Sequence, residues 1–240
     1  MKRYPGILFF LTLMFGLTPA FPSQAAGKLA RQEEKLVFYE DFDGVTHFKY
    51  SAIIKNTGKD TTTMLESDFR LLGKGSAVLF ETTGHLDLYP QALQPGETGV
   101  ISLDGALPEG KTGKSVTDHK LRLHWADEAF PFISRYLATA AYIVEHEDDA
   151  DMRLAGIMAE VSNNTGAPVF DLSFAAALRD KKGKLLTTLC GDAFDVGVPS
   201  GGKLLVRSYI DHYLEAYLRD NEMTPDSVEI IAFTQRYDDY

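Results

Sequence analysis

Polar and apolar residues alternate along two well-separated stretches of the chain. Phe48, Tyr50, Ala52 and Ile54 interleave with His47, Lys49, Ser51 and Lys55; Leu121, Leu123 and Trp125 interleave with Lys120, Arg122 and His124. A two-residue period is that of a strand with one face in a core and the other in water. It places His47 and His124 on solvated faces, and only Ile53 interrupts the polar side of the first strand. Asn56-Thr57-Gly58 and Gln94-Pro95-Gly96-Glu97 punctuate these runs with turn chemistry, since Asn and Gly tolerate positive φ and Pro presets a turn corner. Short strands with such turns every ten or so residues predict antiparallel β-sandwiches.

One stretch follows a different period. Ile210, Tyr213, Leu214, Tyr217 and Leu218 fall at i, i+3, i+4, i+7 and i+8, a single apolar stripe on a helix that Thr224-Pro225 is expected to stop.

The chain also echoes itself. Ala52 to Gly58, Phe69 to Gly73 and Leu93 to Glu97 recur in order as Glu160 to Gly166, Leu178 to Asp180 with Gly183, and Val198 to Gly202. The shared Asn-Thr-Gly stands 40 residues before the turn glycine in the first copy and 37 in the second, counting Asn56 to Gly96 and Asn164 to Gly201. Each copy closes on a strand-like run, Leu121 to Trp125 and Val228 to Thr234. The expected layout is therefore a segment 1–26, a first unit 33–126 and a second unit 132–240, with Ala126 to Phe132 as the joint.

An alternating strand ending in Asn-Thr-Gly, a Phe-x-Leu strand and a Pro-Gly-Glu turn together resemble the FxLYD-type Ig-like domains of exported bacterial proteins. Phe69-Arg70-Leu71-Leu72-Gly73 keeps the Phe and Leu of that motif, and Ala176-Ala177-Leu178-Arg179-Asp180 keeps the Leu and Asp. The resemblance spans roughly 36–125 and 136–236. It implies an all-β chain of two tandem Ig-like antiparallel β-sandwiches, to the second of which the apolar stripe adds one short amphipathic helix. It also implies a non-catalytic module at the cell envelope.

Targeting and charge narrow the setting. Lys2 and Arg3 precede the apolar run Ile7 to Leu17, and Pro19, Pro22 and Ser23-Gln24-Ala25 follow, as in a cleaved signal peptide. The run is about half of the ~20 residues that span a bilayer; the alternative is an uncleaved anchor. No cysteine follows it, so a lipid anchor is not expected. The net charge of −10 becomes −12 once Lys2 and Arg3 are removed from the 24 basic residues, which disfavours nucleic acid as a partner. Cys190 is the single cysteine, so no intrachain disulfide forms. No second stretch is long enough to cross a membrane. The chain is expected to be secreted, periplasmic or envelope-associated.

Candidate chemistry is sparse. Glu145, Glu147, Asp149 and Asp151 cluster between two predicted strands and offer the hard oxygens that Ca²⁺ takes, though without the full loop order of a calcium motif. Glu40-Asp41-Phe42-Asp43-Gly44 is the acidic counterpart in the first copy, and a solvated turn is the competing reading of both. Tyr209, Tyr213 and Tyr217 recur every four residues and would line one side of the helix, either as a partner-binding ladder or as a border of the core stripe. The six histidines show no zinc spacing. Asn163-Asn164-Thr165 matches a glycosylation sequon but is more simply turn chemistry. No nucleophile elbow, Ser-x-x-Lys, zinc helix or phosphate loop is present, and no cofactor is expected beyond possible Ca²⁺. The expected function is non-catalytic binding or spacing against an envelope protein or glycan. A small-ligand or Ca²⁺-binding extracytoplasmic protein is the alternative, and an enzyme comes third.

Overall fold

The computed structural model describes residues 28–126, 132–147, 153–193 and 197–236, without 66, 84, 85 and 87. The expected signal segment lies outside them. Strands β1 (Leu29–Glu40), β2 (Thr46–Asn56), β3 (Thr62–Met64), β4 (Asp68–Gly73), β5 (Val78–Thr83), β6 (Leu88–Tyr89), β7 (Ala92–Leu93), β8 (Thr98–Ala106), β9 (Val116–Arg122) and β10 (Trp125–Ala126) form the first half. The second half holds β11 (Phe132–Glu147), β12 (Arg153–Ser162), β13 (Leu172–Arg179), β14 (Leu185–Ala193), β15 (Lys203–Tyr209), helix α1 (His212–Asp220) and β16 (Ser227–Arg236). The chain is all-β with one α-helix, and its sheets are antiparallel.

In the first half, sheet β1-β2-β8-β6 shares a core with sheet β5-β4-β9; strands β10-β3-β7 form a small third sheet. Phe48, Tyr50 and Ile54 of β2 meet Phe69 and Leu71 of β4 across the gap, with the Tyr50 and Phe69 rings 4.3 Å apart. Each such side chain contributes about 1.5–3 kcal/mol on burial. β1 starts at Leu29, ahead of the expected boundary at 33, because Leu29 pairs with Asn56 at the end of β2. The expected strand Leu121 to Trp125 is two pieces: β9 ends at Arg122, and Trp125 pairs with Met64 of β3 instead.

The second half repeats the order. β11-β12-β15 matches β1-β2-β8, and β14-β13-β16 matches β5-β4-β9. Here β11 joins the two sheets, since Phe132–Tyr136 pair with β16 and Leu137–Glu147 with β12. Two buried asparagines make corresponding bonds. The Asn56 side-chain amide donates to Asp60 O and Leu93 O, and its own N and O bond Glu97 O and Gly96 N. The Asn163 amide donates to Ala167 O and Val198 O, and its N and O bond Gly202 O and Gly201 N. The match to Asn56 is thus Asn163, one residue before the Asn164 that sequence similarity selects.

The helix carries the predicted buried stripe in Leu214 and Leu218 but starts later than the stripe implies: Ile210, also buried, precedes the N-cap Asp211. The helix also ends earlier than expected. Glu222 takes φ +58° and Met223 N bonds back to Leu218 O at 2.8 Å, so a left-handed cap stops the helix before Pro225 is reached.

The halves meet over a broad seam rather than through the expected joint alone, of which 127–131 lie outside the described residues. β2 is buried on both faces. Ile53 and Val100, on the outward side of β2 and β8, pack on Ala175, Ala177 and Leu185 of β13 and β14. The small alanines let the backbones approach. β14 is an edge strand, and seam hydroxyls satisfy its backbone: Thr188 N donates to Ser51 Oγ at 3.0 Å, and Ser102 Oγ donates to Thr188 O at 3.1 Å. An open strand edge is thereby covered. Arg179 grips Glu33 bidentately across the same seam, at 2.7 and 2.9 Å. The placement of His47 is corrected accordingly: it is not simply solvated but stacks on Tyr39, with Nε2 2.8 Å from Asp41. His124 remains half-exposed as expected.

Candidate functional site

Following β2, β8 and β14 along the seam beyond Ser51 and Thr188 leads to a cavity of about 450 Å³ walled by both halves. Its volume falls in the range of small-molecule sites, and a boundary between two units is a usual place for one. The first half supplies Lys49, Ser102 and Asp104 from outward positions of β2 and β8, with Leu86, Tyr89 and Leu103 beside them. The second half supplies Leu189 and Cys190 of β14, Ser208 and Tyr209 of β15, and Asp211 and Leu214 at the start of α1.

Period-two alternation explains the polar groups. Lys49 faces outward because Phe48 and Tyr50 face the core. The second half covers that outward face, so the lysine side chain is only 5% exposed. A buried ammonium requires partners. Lys49 Nζ donates to Asp104 Oδ2 and to Ser102 Oγ, both at 2.7 Å, leaving one N–H.

Asp211 is placed by helix chemistry. As N-cap of α1, its Oδ1 accepts from Tyr213 N at 3.0 Å and Leu214 N at 3.2 Å. The helix N-terminus favours its negative charge. Burial first, and then the negative fields of Asp211 and Asp104, push the nearby Tyr39 phenol up. One neutral phenol therefore senses both carboxylates. Tyr209 reaches the cavity over Gly156, where an added Cβ would stand 2.7 Å from the Tyr209 ring.

Cys190 lines the cavity as a protonated thiol. Burial pushes it up to about 12, against the opposing pull of the Lys49 ammonium. A thiol held in that form is a weak nucleophile.

The sequence-derived candidates separate. The tyrosine ladder is divided: Tyr209 is the last residue of β15 and lies at the cavity, not on the helix. Tyr213 and Tyr217 are on α1, half-buried and packed against the core of the second half. For the acidic cluster, Glu145 and Glu147 fall in the backbone of β11, with side chains outside the described residues, and Asp149 and Asp151 lie outside them altogether. The counterpart loop has a structural use. Asp41 Oδ1 accepts from Asp43 N and Val45 N at 2.9 Å each, and Oδ2 holds His47. That bond to His47 leads the causes that lower the Asp41 pKa. Among the described residues no three His, Cys, Asp or Glu side chains gather as a metal-holding group, and no helix is long and apolar enough to cross a membrane.

Sequence reasoning did not single out Lys49, Asp104 or Asp211. Asp211 carries a readable signal, a carboxylate one residue before a helical stripe. Lys49 and Asp104 carry none, since lysine and aspartate on outward strand positions are what a solvated face requires.

A search against protein-family models and against curated proteins finds no match for this chain.

Proposed function

We propose that the chain is a non-catalytic binding module of the bacterial envelope: two Ig-like sandwiches arisen by duplication and docked face to edge, holding a small ligand in the cleft at their seam. The observation that carries the reading is the cavity itself, to which each half contributes charged, aromatic and apolar side chains. The matching strand orders and the paired Asn56 and Asn163 clasps support duplication. The signal-like start supports export. The raised Cys190 supports binding over catalysis, because the one thiol in the cleft stays protonated at physiological pH.

The test is capture of the ligand itself. The purified chain is incubated with a small-molecule extract of its host's envelope, washed, and denatured, and the released compounds are identified by mass spectrometry. Ser208→Trp, checked for folding by circular dichroism, fills the cleft and serves as the control. Compounds released by the wild type and absent from Ser208→Trp bear the reading out. Equal release from both, or none from the wild type, overturns it.

A further inference from the structure

Taking the cleft as the binding site, we infer that its ligand is a small organic cation with an apolar body, an amine rather than an acid or a neutral sugar.

The charges of the lining decide the sign. Lys49 is already matched by Asp104 at 2.7 Å, so that pair sums to zero. Asp211 has no such cation. Its Oδ1 is occupied by backbone N–H groups of the helix start, and no ion pair to its carboxylate forms among the described residues. The lining thus carries one net negative charge, placed where the helix N-terminus stabilises it. An anion entering the cleft would meet that unbalanced charge. A cation would be attracted to Asp211, whose carboxylate is exposed and has no counter-ion among the described residues.

The rest of the wall suits the same ligand. Tyr89 and Tyr209 are aromatic surfaces on opposite halves, and tyrosine faces attract ammonium groups through the ring quadrupole. Leu86, Leu189 and Leu214 offer apolar contact to a hydrocarbon or ring body. The remaining Lys49 N–H and the Ser208 hydroxyl can serve a ligand's hydroxyl or carbonyl oxygen. The inference thus concerns ligand charge and leaves the choice of amine to experiment.

Three probes share one ring system and differ in charge: tryptamine, indole-3-ethanol and indole-3-acetate. Each is titrated calorimetrically into the purified full chain, into Ser208→Trp and into Asp211→Asn. Asparagine is as good a helix cap as aspartate, so the last variant removes charge while keeping the fold. Tryptamine is expected to bind at least tenfold tighter than indole-3-ethanol, and indole-3-acetate weakest. Asp211→Asn should erase most of that tenfold preference, and Ser208→Trp should abolish binding. Equal or tighter binding of the acid or the alcohol overturns the inference. So does a charge preference that survives Asp211→Asn. The binding-module reading fails separately, through the extract experiment. If that experiment yields a cleft ligand that is anionic or neutral, or if no indole probe binds, the cation inference falls while the cleft remains the site.

Discussion

The outward faces of two corresponding strand pairs show what turns one unit into half of a larger one. Counted from Asn56 and Asn163, Ile53 of β2 corresponds to Glu160 of β12, and Val100 of β8 to Leu205 of β15. Ile53 lies opposite Val100, and Glu160 opposite Leu205. In the first half this position is a buried aliphatic pair on the seam. In the second it faces solvent: Glu160 bonds Lys203 at 2.7 Å, and Leu205 is 53% exposed. One rung further, Ser51 and Ser102 cap the edge of β14, whereas Met158 and Arg207 stand at the matching places. Next come Lys49 with Asp104, and Gly156 with Tyr209. Asp104 and Tyr209 both reach the cavity, from opposite walls. Equal topology is therefore compatible with unequal surfaces. The inner faces carry the fold, and a few outward positions decide which unit lends a face and which an edge.

The sharpest way to break this comparison is to exchange the outward residues. Ile53→Glu places an unpaired carboxylate against Ala175 and Ala177, and denaturant unfolding should show a loss of about 3 kcal/mol or more. The reciprocal Glu160→Ile should shift stability by no more than about 0.5 kcal/mol. Equal effects from the two would mean that the seam does not form in solution.

The asparagine clasps test equivalence directly. Asn56→Ala and Asn163→Ala each strip the partner from one buried and one part-buried carbonyl, and each should cost about 2 kcal/mol. Clearly unequal losses would argue that the two clasps are not the same device.

The helix is the element that the first half lacks. Asp211→Ala should cost about 1 kcal/mol through loss of the cap, and Asp211→Asn should recover nearly all of it. Full loss in both would assign the effect to charge and not to capping.

The smallest effect lies in the first half alone. Burial raises the Glu34 carboxyl, but hydrogen bonds with His119 at 3.1 Å and Tyr50 at 2.9 Å outweigh it, and the carboxyl sits below its usual range. A carboxyl lowered by folding stabilises the protein above its unfolded pKa, and that stabilisation is lost as pH falls through the folded value. Melting temperature should therefore drop on acidification below about pH 4, the ordinary range of a glutamate. The drop should be shallower in Glu34→Gln. An unchanged slope would remove Glu34 from the acid response.

Much of the fold was legible because strand and helix periods are local. Phe48 to Ile54 and the Ile210, Leu214 and Leu218 stripe declare their buried sides without knowledge of any neighbour. Even the interface left one trace, since Ile53 is an aliphatic residue on a polar face, and its partner proved to be β13 and β14. The candidate site was far less legible. Tyr209 was singled out for its spacing to Tyr213, yet it belongs to a strand and reaches the cavity beside groups more than 100 positions away in the chain.

The sequence by itself determined the alternation, the turns, the helix and the order of elements, because each depends on residues within a few positions of one another. Only the tertiary structure decided that the polar face of β2 is buried, that Lys49 is ion-paired under cover and that burial pushes the Cys190 thiol up. Those states depend on desolvation, and desolvation is set by whichever surface covers a side chain. Here that surface is the other half of the molecule.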